Sequence, residues 1–217
     1  MKKEDGIFYN NICFVPVVHG RLEFAQAVIR WFAHWQPDAV AVEFPNTLRE
    51  QLLRGLKRLP LLSVILYAEK DGTQVYLPLE PTDGVVEASR LALEHDLPLH
   101  FIDRDLEGMP QAKEPFPDPY AVHRIGHTAY CQAYGAQYAH GQSSRQDLMR
   151  EATMAYHLQK LMREHQRVLF VCGISHYPSI LAKLSGPQAQ PIGRQQREGV
   201  ILASMPCRYE RDFTCSR

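Results

Sequence analysis

Four apolar, strand-like runs in this chain each end in an ionisable residue or are quickly followed by one. Ile12–Val18 leads to His19, Ala39–Val42 to Glu43, Leu97–Ile102 to Asp103, and Val168–Cys172 to His176. If these runs are parallel strands of one sheet, their C-terminal ends share an edge, which is where open α/β sheets place their ligand sites. Four residues remote in sequence then become one candidate site.

The stretches between the runs support that arrangement. Ala25, Val28, Ile29, Phe32 and Trp35 recur at helical spacing, and Gln36-Pro37-Asp38 stops the helix before the second run. Thr47 and Glu50 have the spacing of a capping box, ahead of a Leu48, Leu52, Leu53 and Leu56 stripe that ends near Pro60. Leu62–Ala68 and Thr73–Leu77 flank Asp71-Gly72, a hairpin signal. Pro81-Thr82-Asp83-Gly84 opens a helix that runs to about His95. Residues 104–119 are rich in proline and charge and read as a loop or lid. A helix spans Tyr120–Ala139, and Ser143-Ser144 caps another with the stripe Leu148, Ala152, Ala155, Leu158 and Met162. The tail from Gly186 holds one more strand-like run, Gly199–Ala203. Strands alternating with helices predict an α/β fold, with a mainly parallel sheet, flanking helices and a small antiparallel hairpin excursion. We read residues 1–217 as a single domain, with the loop near 104–119 and an irregular tail near 186–217.

Composition excludes several classes. Lys+Arg and Asp+Glu both number 24, so the chain lacks the basic excess of a nucleic-acid binder. No apolar run approaches the roughly 18–20 residues of a membrane span. The N-terminus carries acids and does not read as a signal peptide, so a cytoplasmic location is expected. Cys13, Cys131, Cys172, Cys207 and Cys215 contain no close C-x-x-C pair, which points away from a disulfide framework and from a cysteine zinc site.

The chemistry-bearing residues are few. Val18-His19-Gly20 puts an imidazole beside a backbone turn. Glu43, between Val42 and Phe44-Pro45, is a carboxylate that must be paired, metal-bound or neutralised. Gly173-Ile174-Ser175-His176 repeats the pattern of strand, glycine and histidine. His19, Glu43 and His176 together supply the His₂Glu ligand set of open catalytic zinc sites. Asp103-Arg104-Asp105 offers carboxylates around a guanidinium, with a surface salt bridge as the plain alternative. Arg150, beside Glu151, shares a helix face with Met154 and His157, and is placed to clamp a carboxylate or stabilise an oxyanion. His123, His127 and Tyr130 fall on another helical face.

In order, Val17-Val18-His19-Gly20, Pro37-Asp38 through Glu43, Phe101-Ile102-Asp103-Arg104, Arg150-Glu151 through Met154, and Gly173 through His176 resemble the TraB/Tiki superfamily. That superfamily also takes in erythromycin esterase-like and ChaN-like proteins, and the resemblance covers most of residues 12–184. Tyr76-Leu77-Pro78-Leu79-Glu80-Pro81 is more similar to a bacterial branch found alongside MoxR-type ATPases and von Willebrand-type proteins. One departure stands out: Pro16 occupies the place of the glycine in the family's first Gly-x-x-His motif.

The resemblance implies a hydrolase of peptide or ester bonds. By analogy with Tiki-type proteases it is metal-dependent, with zinc or manganese as the divalent ion; by analogy with the esterases it uses a histidine base. On matching positions His19, Glu43 and His176 form the centre, with Arg150 and Asp103 as supports. ChaN-like relatives bind haem instead, so the rival expectation is a non-enzymatic ligand-binding or accessory module with a MoxR-type ATPase as partner.

Overall fold

The computed structural model describes residues 6–108, 116–138, 144–193, 195 and 197–205. Cys207, Cys215, Ser143, Ala139 and the centre of the proline-rich loop lie outside them. The elements in chain order are β1 (Ile7–Tyr9), β2 (Ile12–Val17), α1 (Leu22–Trp35), β3 (Ala39–Pro45) and α2 (Arg49–Leu56), followed by β4 (Ser63–Ala68), β5 (Gln74–Leu79), α3 (Gly84–Glu94) and β6 (Leu99–Asp103). Then come α4 (Ala121–Ile125), α5 (His127–Tyr138), α6 (Arg145–Glu164), β7 (Val168–Gly173), α7 (Tyr177–Lys183) and β8 (Ile201–Ser204).

The fold is α/β. The main sheet has the order β1-β2-β7-β3-β6, and every pairing in it except β1 with β2 is parallel. Every residue of β2 and β7, and all of β3 up to Phe44, is buried, as expected of strands covered on both faces. Helices α1 and α3 pack on each other and on these strands, and α6 packs with α7. In the smaller sheet, β5-β4-β8, all pairing is antiparallel and burial tends to alternate along β4 and β5, because one face meets the rest of the protein and the other does not. The hairpin is therefore as expected, and the Gly199–Ala203 run supplies its third strand.

Strand β7 comes late in the chain yet sits between β2 and β3, with Ile12 and Ala39 both opposite Val168. Asp38 anchors the entry, its carboxylate accepting the backbone N–H groups of Gln166 and Arg167 at 2.8 and 2.9 Å. Pro16 stands beyond the last β1 pairing at Phe14, so its missing N–H removes no ladder bond on that edge. Its carbonyl accepts instead from His127 Nε2 at 2.8 Å. Among the described residues no helix is long and apolar enough to cross a membrane.

Several local expectations are corrected. Thr47 forms no capping box; a 3₁₀ turn over Asn46–Leu48 precedes α2, and the Thr47 hydroxyl goes to Asp105 at 2.5 Å. Ile29 and Leu148 are exposed, and Trp31 takes the buried place in α1. His123 and His127 share no face, because Gly126, at φ 86°, breaks the helix between them and leaves His123 exposed and His127 buried. The α6 cap is as read: Ser144 and Asp147 form a complete capping box.

Candidate active site

The C-terminal rim of the main sheet carries, strand by strand, His19 after β2, Gly173 and His176 at the end of β7, Glu43 near the end of β3 and Asp103 at the end of β6. The β3–β6 register shifts between Val42 and Pro45, so Glu43 stands in a bulge, a device that re-aims a side chain at a strand end. Its carboxylate points at the neighbouring strand, where Oε2 accepts the Gly173 N–H at 2.5 Å. Arg150 comes in from α6 with its guanidinium across the rim. Nη2 donates to Glu43 Oε1 at 2.5 Å and to Asp103 Oδ2 at 2.7 Å, while Nε lies 3.1 Å from both Asp103 oxygens. Nη1 is 3.3 Å from His176 Nε2 and 3.8 Å from Asp147.

A guanidinium has five N–H donors, and all of Arg150's nitrogens already face these partners. Arg150 is thus a strut that fixes Glu43 and Asp103, and the expected oxyanion role would require it to abandon buried carboxylates. Burial works against ionised Glu43, but the charges of His176, Arg150 and His19 and the Gly173 N–H outweigh it and hold the carboxyl at about 2. Burial keeps Asp103 above the ordinary carboxylate range, even against Arg150.

His19 is held differently. Its Nδ1 lies 3.0 Å from Asp83 Oδ2, and the same oxygen accepts the Gly20 N–H at 3.0 Å. The other oxygen, Oδ1, caps α3 through the N–H groups of Val85 and Val86. Asp83 is therefore pinned by a helix N-terminus and carries the imidazole on it. The sequence places Asp83 at the start of a helix and does not announce its partner; the one signal is an aspartate just ahead of Gly84 where that helix opens. The His19 side chain remains 54% exposed, whereas that of Asp83 is 13% exposed, so the ring is held from behind and reachable from in front. Burial opposes the imidazolium, but the hydrogen bond and charge of Asp83, with Glu43 adding, raise His19 to about 9.

Gly173 sets the spacing of the rim. A methyl group built there would lie 3.2 Å from His19 Nε2, 3.3 Å from Glu43 Oε2 and 3.6 Å from the His176 ring. The glycine leaves a gap into which the free nitrogen of His19 and one oxygen of Glu43 both look. All of the expected site residues, His19, Glu43, Asp103, Arg150 and His176, therefore lie on one rim.

They do not fit a divalent ion as arranged. The guanidinium takes Glu43 Oε1 and the Nε2 side of His176, and among the described residues no group of three or more His, Cys, Asp or Glu side chains is set to hold a metal. The cation of this site is Arg150. A groove of about 700 Å³ lies at the opposite end of the sheet, lined by Asn10, Asn11, Gln159, Arg163 and others. The inward polar groups of that groove are spent on backbone carbonyls, with Asn11 on Met162 and His165 and Gln159 on Leu184 and Gly186. Comparison of the chain with family models, with curated proteins and with solved structures finds no match in any of the three.

Proposed function

We propose that the rim is the centre of a hydrolase acting on ester or peptide bonds, with His19 moving the proton. The observation that carries this reading is the Asp83–His19 pair, 3.0 Å apart, with the second imidazole nitrogen turned to the Gly173 gap and the side chain open to solvent. A carboxylate on Nδ1 fixes the tautomer, leaving Nε2 with its lone pair toward the gap. In the reactive form neutral Nε2 takes a proton from water as the water oxygen bonds to the substrate carbonyl carbon. The imidazolium so formed is stabilised by Asp83 and by the buried negative charge of Glu43. It then returns that proton to the departing alcohol or amine as the bond from carbon to the leaving group breaks. The resemblance to the TraB/Tiki superfamily, in its esterase-like form, supports the same assignment.

The test is a panel of chromogenic esters and peptides, assayed with the wild-type chain and with His19→Ala and Asp83→Asn. Hydrolysis that falls at least a hundredfold in H19A supports the reading. Turnover indifferent to both changes, or no turnover of any panel substrate at pH 9, overturns it and favours a non-enzymatic binding module.

A further inference from the structure

We propose that Glu151 is a positioning residue which holds the His176 ring in one orientation, Nδ1 turned to Glu151 and Nε2 turned to Glu43 and Arg150. Its side chain is only 1% exposed, and a carboxylate so enclosed must be satisfied by specific partners. Oε1 lies 3.3 Å from His176 Nδ1. Oε2 accepts from Ser179 Oγ at 2.5 Å and from Lys183 Nζ at 3.3 Å, and Lys183 Nζ also donates to Ser179 Oγ at 2.6 Å. Ser179 and Lys183 stand one turn apart on α7, and His176 is the residue that opens α7. One short helix thus supplies both the imidazole and the two groups that hold the carboxylate against it.

The far side of the ring completes the argument. Glu43 Oε1, 3.5 Å from His176 Nε2, can only accept and favours hydrogen on that nitrogen, whereas Arg150 Nη1, 3.3 Å from it, can only donate and favours a neutral ring with its hydrogen on Nδ1. Glu151 can only accept, which demands the same hydrogen in the same place. Adjacent residues of α6 therefore grip the ring from opposite sides, Arg150 by donating and Glu151 by accepting. A carboxylate serving merely as an ion pair between α6 and α7 would be complete with Lys183 and would leave the ring free to turn.

Only the kinetic consequence rests on the hydrolase reading; the orientation of the ring stands apart from it. ¹⁵N spectra of His176 in the full chain, recorded at alkaline pH where the ring is neutral, report which nitrogen carries hydrogen. The expected result is the Nδ1–H form in the wild type and in Glu151→Gln, whose amide oxygen can still accept, with a mixture of tautomers in Glu151→Ala. With a turned-over ester or peptide, E151A is expected to lower kcat about 10- to 100-fold with little change in KM, and E151Q to recover most of it. An Nε2–H ring in the wild type overturns the proposal without any variant having to fold, and so does a tautomer unchanged in E151A. An Nδ1–H ring that loosens in E151A, in a chain that hydrolyses nothing, removes the hydrolase reading and leaves the positioning role standing.

Discussion

Two buried arginines of this protein are built alike and end in different places. Arg150 joins Glu43 and Asp103 on the rim of the main sheet; Arg197 joins Asp105 and Glu69 beside the small sheet, with Asp105 bound at 2.5–3.0 Å and Glu69 at 2.8 Å. Around Arg197 the set is closed: the guanidinium lies 4.3 Å from the Tyr67 ring centre and donates to the Leu106 carbonyl, and its side chain is only 3% exposed. It clasps the segment before β8 to the β4–β5 hairpin and to the residues after β6. Around Arg150 the set is open, because His176, Gly173 and the exposed His19 adjoin its carboxylates. A buried arginine with two acids is thus a fastening in either region. The reachable imidazole, pinned by an acid of its own, is what marks one of them as a site.

The comparison can be broken most sharply at His19. H19A is expected to lower hydrolysis about 10²- to 10⁴-fold, and to lose stability in urea at pH 6 but little at pH 10, since the Asp83 pair contributes only while the imidazole is charged. Arg150→Met comes next: removing the partner of two buried carboxylates is expected to cost about 3–5 kcal/mol of unfolding free energy together with the activity. Arg197→Met should also destabilise, by at most a similar amount, while leaving turnover per folded molecule at no less than half. Equal losses of activity in the two arginine variants would erase the distinction between fastening and site.

The pH dependence sharpens it further. With His19 raised from 6.5 to about 9, the neutral base accumulates as pH rises, so the rate should climb through neutral pH and level off above about 9. D83N is expected to move that midpoint down and lower the plateau, because the imidazolium loses its acid. The stability that His19 gains from Asp83 has the opposite sense: it is complete below about 6.5 and is lost as pH rises through about 9. Glu43, lowered from 4.5 to about 2, stabilises the fold above about 4.5, and that contribution fades as pH falls toward about 2. Stability measured by denaturant from pH 3 to pH 10 checks both signs.

Gly173→Ala is a smaller change. Its methyl group would sit against His19 Nε2 and Glu43 Oε2, so a cost of about 1 kcal/mol and a severalfold lower rate are expected, read from unfolding and from kinetics. The smallest expected effect is that of a chelator. With Arg150 already on Glu43, treatment with EDTA should leave the rate within the error of the assay, and restoration of a lost rate by zinc or manganese would return the metal reading to the rim.

Much of the framework was legible in the chain because it follows from local periodicity. The four apolar runs became β2, β3, β6 and β7, and Asp71-Gly72 became the turn between β4 and β5. Thr47 was misread because the capping-box spacing says nothing about Asp105, remote in sequence, which takes its hydroxyl. Arg150 was legible as a clamp for a carboxylate but not as one already filled, since no local pattern in α6 reveals that Glu43 and Asp103 both turn toward it. Asp83 was legible only as part of a helix start, because its role depends on His19, which no nearby residue announces.

From the sequence alone follow the alternation of buried strands with helices and the presence of an ionisable residue at each strand end, because hydrophobic pattern and turn chemistry act over a few residues. Which acid serves which base was decided only by tertiary structure. The insertion of β7 between β2 and β3, and the approach of α3 and α6 to the rim, give Asp83 to His19, Glu43 and Asp103 to Arg150, and Glu151 to His176. Those pairings hang on distances between segments far apart in the chain, and burial then makes each one matter, because a charge withdrawn from water is stabilised only by the partner the fold brings to it.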